Sequence, residues 1–573
     1  MLRRAKQLFR WIYKAQHSLS YNLISWNYCA SSRVLRLIIV TLCFSIGFVI
    51  ICSRLVYLAA VAHDSKQRYA ASHQPRKEIM DRNNNILAIN VPIASLFANP
   101  QHMVNPAEDF AKLKKVLPNI DVTKLLEDLG KDKTFCWIKH DITPKEEQKI
   151  NDLGIAGLYF EKEEKRIYTY GNLLSHIIGY VGRGNDGLAG LEKSYNNFLN
   201  HDHVPNKEGD KPLQLTIDVR VQNIVAEELD KAIKQYSAQG GVGVVVDVNT
   251  GEIIAMVSKP DFDPHNPGKA KPDNLFNRAS LGIYEIGSVA KSFTLAIAFD
   301  TNTITMHDAY NLSNFRVANF NLKDTHKATG WHSVPEIFLH SSNIGVAQIA
   351  LESGRANFQS YYKKLGLMDK LQVDLPERGT PLYPKNLHWS DLSLATMSYG
   401  YSISISALHF VQAMLPVVNG GLMYPLALVK QNDPPEGTRI FKESTSEVMR
   451  KLMRLVVSHG TGKKAEVAGY LVGGKTGTAE VQVGKRYVKN QRRASFFGIV
   501  PAVDPKYAIY VMLDRPQGTK ETFGFAGGGW TATPTGGSII SRMVALFGMQ
   551  PYDPNDLEIQ KKLHVDYQVN SDT

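Results

Sequence analysis

Between Leu37 and Ser53 the chain reads LIIVTLCFSIGFVIICS, seventeen residues without a charge, and it continues past Arg54 as LVYLAAVA. No other stretch restricts folding as strongly, because such a segment rests either in hydrocarbon or in the middle of a large core. About 20 apolar residues cross a bilayer, and residues 37–59 reach that length if Arg36 and Arg54 extend toward the head groups. Residues 1–36 hold Arg3, Arg4, Lys6, Arg10, Lys14, Arg33 and Arg36 and no acidic residue. Positive charge stays on the cytoplasmic side. The expected arrangement is therefore a basic cytoplasmic tail (1–36), a single transmembrane helix (37–59) and an exported remainder. A cleaved leader fits less well, since the charged region is long and no small-residue cleavage site stands out.

The formal charge is +12, which by itself suggests nucleic acid, but removing those seven residues and Arg54 leaves +4 for everything after residue 58. The basic excess belongs to the tail, and no nucleic-acid partner is expected. Of the four cysteines only Cys136 is exported, so no disulfide forms within the outer part, and no metal-ligand cluster stands out. A chain of 573 residues implies two or three domains, one with a large core.

After a polar connector, Pro75 to Pro100 contains two β-rich runs separated by Asp81 to Asn85, read as a hairpin because asparagine tolerates positive φ. Residues 106–153 are charged with helical spacing, and 157–199 return to strands and glycines. The polar stretch from His201 to Pro212 reads as a linker, closing a first exported domain over 60–212. A second unit, 213–549, opens with a strand and an amphipathic helix, LQLTIDVRVQNIVAEELDKAI, then a hairpin from Gly240 to Pro260 around Asn-Thr-Gly. A mostly helical region spans about 290–460, and strands return at LVGGKTGTAEVQV, RRASFFGIVP and KYAIYVMLDRP. Strands at both ends with helices between predict an α/β layered domain whose first and last strands lie side by side. Residues 550–573, with few apolar side chains, are expected to form a flexible tail.

Chemistry enters at Tyr284 to Thr294, YEIGSVAKSFT. Ser288 follows a glycine and Lys291 stands three residues on, so a helix starting there presents a hydroxyl and an amine on one face. That pairs a nucleophile with a base. Ser360 to Lys363 fits Ser-x-x-Lys equally well, so the pattern needs company. Ser341-Ser342-Asn343 supplies Ser-x-Asn 53 residues after Ser288, and Lys475-Thr476-Gly477, found once in the chain, follows 134 residues later. Ser-x-Asn also occurs at Ser20 and Ser194, but only the joint order and spacing match the penicilloyl serine transferases. The match at Ser360 comes after Ser-x-Asn and drops out.

With these motifs the exported region resembles a class B penicillin-binding protein, nearest the division-specific FtsI type. PRKEIMDRNNNILA, KRIYTYG, GLAGLE and LTIDVRVQ are similar to motifs of that family's non-catalytic pedestal and its junction. Asn277 to Ala279, Asp324 to His326 and ATMSYGYSISIS are similar to its transpeptidase domain around the triad. Lys77 and Asn84 stand where the family usually has glycine, Ile286 where proline is common, and TPTGG after Ala532 is unusual.

The resemblance implies a penicilloyl-serine-transferase domain, α/β with an antiparallel central sheet and helices, preceded by an elongated α+β pedestal. It implies a serine acyltransferase needing neither cofactor nor metal. Ser288 attacks the carbonyl between the terminal D-alanines of a peptidoglycan stem peptide, and Lys291 is its base, its pKa depressed by burial and by Lys475. Ser341 relays a proton to the leaving amine, Asn343 orients Lys291 and the substrate amide, and Lys475 supplies positive charge. Thr476 binds the terminal carboxylate, and the Ser288 and Thr478 N–H groups form the oxyanion hole. Small residues in the Gly477 strand suit an edge that accepts an extended peptide. An amine on a neighbouring stem peptide resolves the acyl-enzyme. β-Lactams are expected to bind covalently. A glycan-polymerising glycosyltransferase and other division proteins are the implied partners, at the periplasmic side of a bacterial inner membrane.

A serine β-lactamase shares the triad, but no Glu-x-x-Leu-Asn stretch for positioning water is found. A signalling receptor lacks support in the absence of His-Glu-x-x-His, and an idle scaffold is at odds with the complete triad. An elongation-type transpeptidase of the same chemistry stays open; the SYGYSISIS run and a compact pedestal favour division.

Overall fold

The computed structural model describes residues 32–71, 76–129, 134–182, 184–200, 211–325, 328–384, 389–431, 433, 435–484, 486–553 and 555–567. The basic tail through residue 31, the linker at 201–210 and His326 lie outside them. The chain separates into two compact units, Met1–Gln74 and Pro75–Thr573.

Among the described residues of the first unit a helix runs Ser32–Ala71, and its apolar portion, Ile38–Tyr57, is long enough to cross a membrane. Large side chains such as Phe44 and Phe48 are exposed along it, as lipid-facing residues would be. The helix continues through the expected connector because residues 59–71 hold five alanines and neither proline nor glycine.

The second unit opens with a sheet centred on Ile86–Ala98. One edge of that strand pairs with Leu158–Tyr168; the other pairs with Ile79–Met80 at one end and Cys136–Ile142 at the other. The predicted hairpin is present, with Asn84 at φ 65° in the turn, which accounts for asparagine in a position suited to glycine. Cys136–Ile142 corrects the all-helical reading of 106–153, whose helices are Pro106–Val116, Val122–Asp128 and Pro144–Asp152. After Tyr168 the chain forms short helices rather than strands, among them Ser175–Ile178 and Gly190–Ser194.

Three separate sequence motifs meet inside this region. Arg76 Nε donates to Glu192 Oε2 at 2.5 Å, Arg166 Nε donates to Glu192 Oε1 at 2.8 Å, and Arg76 Nη2 donates to the Glu192 carbonyl at 2.6 Å. All three side chains are buried, so PRKEI, KRIYTYG and GLAGLE are bound by one carboxylate. Glu192→Gln keeps the shape but leaves two buried guanidinium groups without a counter-charge. It is expected to destabilise the protein by about 3–5 kcal/mol, read as a lowered urea midpoint.

The larger sheet has the order Gly473–Val483, Arg486–Val500, Tyr507–Asp514, Gly240–Asp247, Ile253–Lys259, and every neighbouring pair is antiparallel. Within this sheet the first and last strands in chain order that flank the helical region, Gly240–Asp247 and Tyr507–Asp514, are adjacent, whereas the expected opening strand, Leu213–Gln214, pairs instead with Ile79–Met80. One face packs Val242, Val244 and Val246 against a helical body that includes Lys291–Asp300 and Ala407–Val418. There the Phe410 ring lies 5.7 Å from Phe497 and 4.9 Å from Tyr510. The other face packs Val245, Phe496 and Val511 against Val219–Gln235 and Ala532–Leu546. The TPTGG run opens that last helix, and a Cβ on Gly536 would come within 2.6 Å of the Phe496 ring, so the small residue sets how closely helix and sheet approach.

Two further features of this unit depart from expectation. Within 290–460 the chain inserts short paired strands, Ala309–Asn311 with Trp331–Ser333 and Arg316–Val317 with Phe320–Asn321. The described residues after 550 pack onto the domain rather than lying loose: Asp556 caps a helix Leu557–Leu563, and Val565 is buried against Leu339 and Leu455; residues 568–573 of the expected flexible tail lie outside the described residues. A few apolar residues suffice there because a pre-existing apolar surface receives them.

Candidate active site

Ser288 lies in the 3-10 turn Gly287–Ala290, which leads directly into the buried helix Lys291–Asp300. The turn begins at Gly287 with φ 60°, and a Cβ there would sit 2.5 Å from the Thr478 carbonyl oxygen. That near-contact brings the serine turn against the strand Gly473–Val483. Ile286, which replaces the more common proline, is 7 % exposed and packs into the main core, its φ of −90° lying beyond the proline value.

Ser341 is the hub. It precedes the helix Asn343–Ser353 in a left-handed conformation, φ 59°. Its hydroxyl oxygen lies 3.0 Å from Lys291 Nζ and 3.0 Å from Lys475 Nζ, and its carbonyl accepts from Lys291 at 2.5 Å. Both lysines are fully buried. Burial first, and then the Lys475 charge, hold the Lys291 ammonium well below its usual 10.5, with Asp324 acting in the opposite direction. Burial brings Lys475 down to about 7. Lys291 thus reaches Ser341, whereas among the described residues no hydrogen bond joins it to Ser288. Catalytic contacts are commonly loose before substrate arrives.

The strand bearing Lys475 is the edge of its sheet, so one side of its backbone has no strand partner. Lys475 stands opposite Phe497 on the helical face; Thr476 and Thr478 alternate with it onto the other side, and Gly477 stands opposite Ser495. Thr476 Oγ1 is 2.7 Å from Thr461 Oγ1, and Thr478 Oγ1 accepts the Gly528 N–H at 3.0 Å.

Asn343 behaves differently from its expected part. Its Nδ2 donates to the Lys323 carbonyl at 3.1 Å and makes no hydrogen bond to Lys291, because its place at the start of a helix turns it toward the loop before Trp331–Ser333. That loop also supplies Asp324, whose carboxylate accepts from the Ser342 hydroxyl at 2.7 Å, from the Ile344 N–H at 3.1 Å and from the Asn343 N–H. The sequence marks Asp324 only as part of a motif and gives no sign of these contacts; Thr461 carries no signal at all.

The family model for the penicillin binding protein transpeptidase domain matches residues 241–533, and that for the penicillin-binding protein dimerisation domain matches 72–203. The chain is 36% identical over 487 residues to a probable peptidoglycan D,D-transpeptidase FtsI of Caulobacter vibrioides, covering 83% of this chain and 82% of that one. It is 32% identical over 554 residues to a probable peptidoglycan D,D-transpeptidase PenA of Neisseria gonorrhoeae, covering 91% and 94%. Among solved structures, penicillin binding protein 3 of Mycobacterium tuberculosis in complex with aztreonam superposes with a TM-score of 0.67 at 22% identity, covering 84% of this chain and 98% of that one.

Proposed function

We propose, for a chain that belongs to the class B penicillin-binding proteins of the FtsI type and is accordingly a serine peptidoglycan D,D-transpeptidase, that Ser288 is the nucleophile and Lys291 its base, acting at the division septum. The observation that carries this reading is the Ser341 hydroxyl held between the two buried amines. A neutral lysine has two N–H donors and one lone pair. Ser341 takes both donors through its carbonyl and its hydroxyl, which leaves the lone pair for the Ser288 proton.

Ser288 Oγ then bonds to the carbonyl carbon of the penultimate D-alanine while Lys291 takes the hydroxyl proton. The backbone N–H groups of Ser288 and Thr478 receive the developing oxyanion, a contribution of several kcal/mol. As the C–N bond breaks, the proton passes from Lys291 through Ser341 to the departing D-alanine amine. Lys475 and Thr476 hold the substrate's terminal carboxylate, and the open edge of Gly473–Val483 pairs with the stem peptide as an added strand. An acceptor amine attacks the acyl-enzyme, loses its proton along the same route and forms the cross-link. A β-lactam keeps its leaving group tethered, so the acyl-enzyme persists. Peptide mapping by mass after penicillin treatment should find the adduct on Ser288; an adduct on another serine would overturn the assignment.

In the same reading the chain crosses the inner membrane once, with 60–212 as pedestal and 213–549 as transpeptidase on the periplasmic side, and the helix at 37–59 docks on a glycan-polymerising glycosyltransferase. Exchanging residues 37–59 for an unrelated span should preserve penicillin binding and abolish complementation of a depleted strain. Full complementation would make the helix a plain anchor.

A further inference from the structure

We propose that the C-terminal residues Leu563–Tyr567 brace the catalytic centre, Val565 and Tyr567 being positioning residues: Val565 holds the helix that leads to Ser341, and Tyr567 holds the turn that leads to Thr476. The inference rests on the reading of Ser341 and Thr476 as parts of that centre.

The segment reads LHVDY, apolar and polar in strict alternation. An extended chain sends such residues to opposite sides. His564 begins it with extended backbone, φ −65° and ψ 138°. Val565 is buried and Leu563 and Tyr567 are half-buried, whereas His564 and Asp566 are exposed and meet each other at 2.7 Å. One side of the segment is therefore pressed onto the domain, and each apolar side chain lands on a defined element.

Val565 lands on Leu339 and Leu455. Leu339 is the last residue of the helix Val334–Leu339, and only His340 separates it from Ser341. The turn follows that helix closely, because the Ser341 N–H donates to the Phe338 carbonyl at 3.3 Å and the Ser342 N–H to the Ile337 carbonyl at 2.9 Å. The Phe338 ring in turn lies 5.5 Å from Lys475 Nζ. Leu339 is also tight against Gly460, where a Cβ would come within 2.6 Å of Leu339 Cδ1. Removing the Val565 methyl groups opens room that Leu339 can enter. Such a movement draws the Ser341 carbonyl and hydroxyl away from Lys291 Nζ, which both of them hold.

Tyr567 reaches the other side of the site. Its ring meets His459 edge-on with centroids 5.7 Å apart, and His459 Nδ1 is fixed by the Ser458 hydroxyl at 2.7 Å. His459 ends the helix Glu443–His459, and two residues later Thr461 Oγ1 lies 2.7 Å from Thr476 Oγ1. One short segment thus bears on the two groups that come to the site from different parts of the domain, and on each of them through a different neighbour.

The experiment is stopped-flow acylation by a fluorescent penicillin, measured on the full chain in detergent and resolved into the noncovalent Kd and the acylation rate constant. Val565→Ala should lower the rate constant about tenfold with little change in Kd, because it displaces the groups that hold the base. Tyr567→Ala should raise Kd about tenfold, because it loosens the hydroxyl that receives the carboxylate. Val565→Ile and Tyr567→Phe should restore wild-type values. Leu125→Ala, a buried change in the pedestal helix Val122–Asp128, serves as the control: it should lower the melting temperature and alter neither constant. Wild-type constants in folded Val565→Ala and Tyr567→Ala would overturn the proposal. Equal losses in Leu125→Ala would overturn it too, reducing the segment to a stabiliser. Should Val565→Ala fail to fold, Tyr567→Ala at its half-buried position decides alone, an unchanged Kd counting against the brace. An adduct on a serine other than Ser288 in the wild-type chain would overturn the reading of the site itself, and no variant is needed to see it.

Discussion

Ser288→Ala is expected to abolish covalent labelling by fluorescent penicillin and to lower transpeptidation by at least about 10⁴-fold. The loss is this large because the acyl-enzyme has no alternative route: the carbonyl must bond to an oxygen at this point in the cleft, and the described hydroxyl nearest in role, Ser341, is occupied between Lys291 and Lys475. The fold should be untouched. Ser288 lies in a turn fixed by Gly287 and by the buried neighbours Val289 and Ala290, and alanine suits a helix start at no steric cost. Labelling of a folded Ser288→Ala protein at the wild-type rate would place the nucleophile elsewhere.

Lys291→Met should reduce acylation by roughly 10²–10⁴-fold, the usual contribution of a general base, while leaving the protein as stable or more so. Methionine fills much of the same space without an amine to desolvate. The two enzymes should also differ in pH dependence. Wild-type acylation rises as Lys291 loses its proton, at a pH well below 10.5 because burial and Lys475 disfavour the ammonium. The variant's residual rate should lack that rise. Stability moves in the same window: the unfolded lysine stays protonated up to about 10.5, whereas the folded one releases its proton earlier. Wild-type stability therefore increases with pH between those two values, and the Lys291→Met slope should be shallower. A Lys291→Met enzyme with an intact acid limb would assign the base to another group.

Much of this is legible in the order of the amino acids. Ser-x-x-Lys, Ser-x-Asn and Lys-Thr-Gly are local signals because each sits on one short element whose geometry a few residues dictate. The antiparallel sheet is legible from β-branched runs at both ends of a helical region. What escapes is what tertiary contact alone determines. Arg76 and Glu192 are 116 residues apart, and nothing local to either reveals the buried pair. Cys136–Ile142 lacks a strict alternation of buried and exposed residues, so its charged setting reads as helix. The motif points Asn343 at Lys291, yet the direction of that side chain is decided by the carbonyl of Lys323 twenty residues earlier. Val565 is apolar in a polar tail, and only the surface formed by Leu339 and Leu455 explains it.

Because Gly240–Asp247 is hydrogen-bonded to Tyr507–Asp514, the chain leaves the larger sheet after Lys259 and rejoins it only at Gly473. Everything between is a single excursion, closed at its base like a purse. Ser288 and Ser341 travel with the excursion; Lys475 and Thr478 belong to the rim. The reactive groups therefore meet along a seam, and reactivity belongs to the alignment of its two sides. A slip of about 1 Å between them exposes no core, yet is enough to cost about 100-fold in rate. The domain can thus be intact and silent, and a peptide or β-lactam lying in the seam stitches together the two sides on which its own reaction depends.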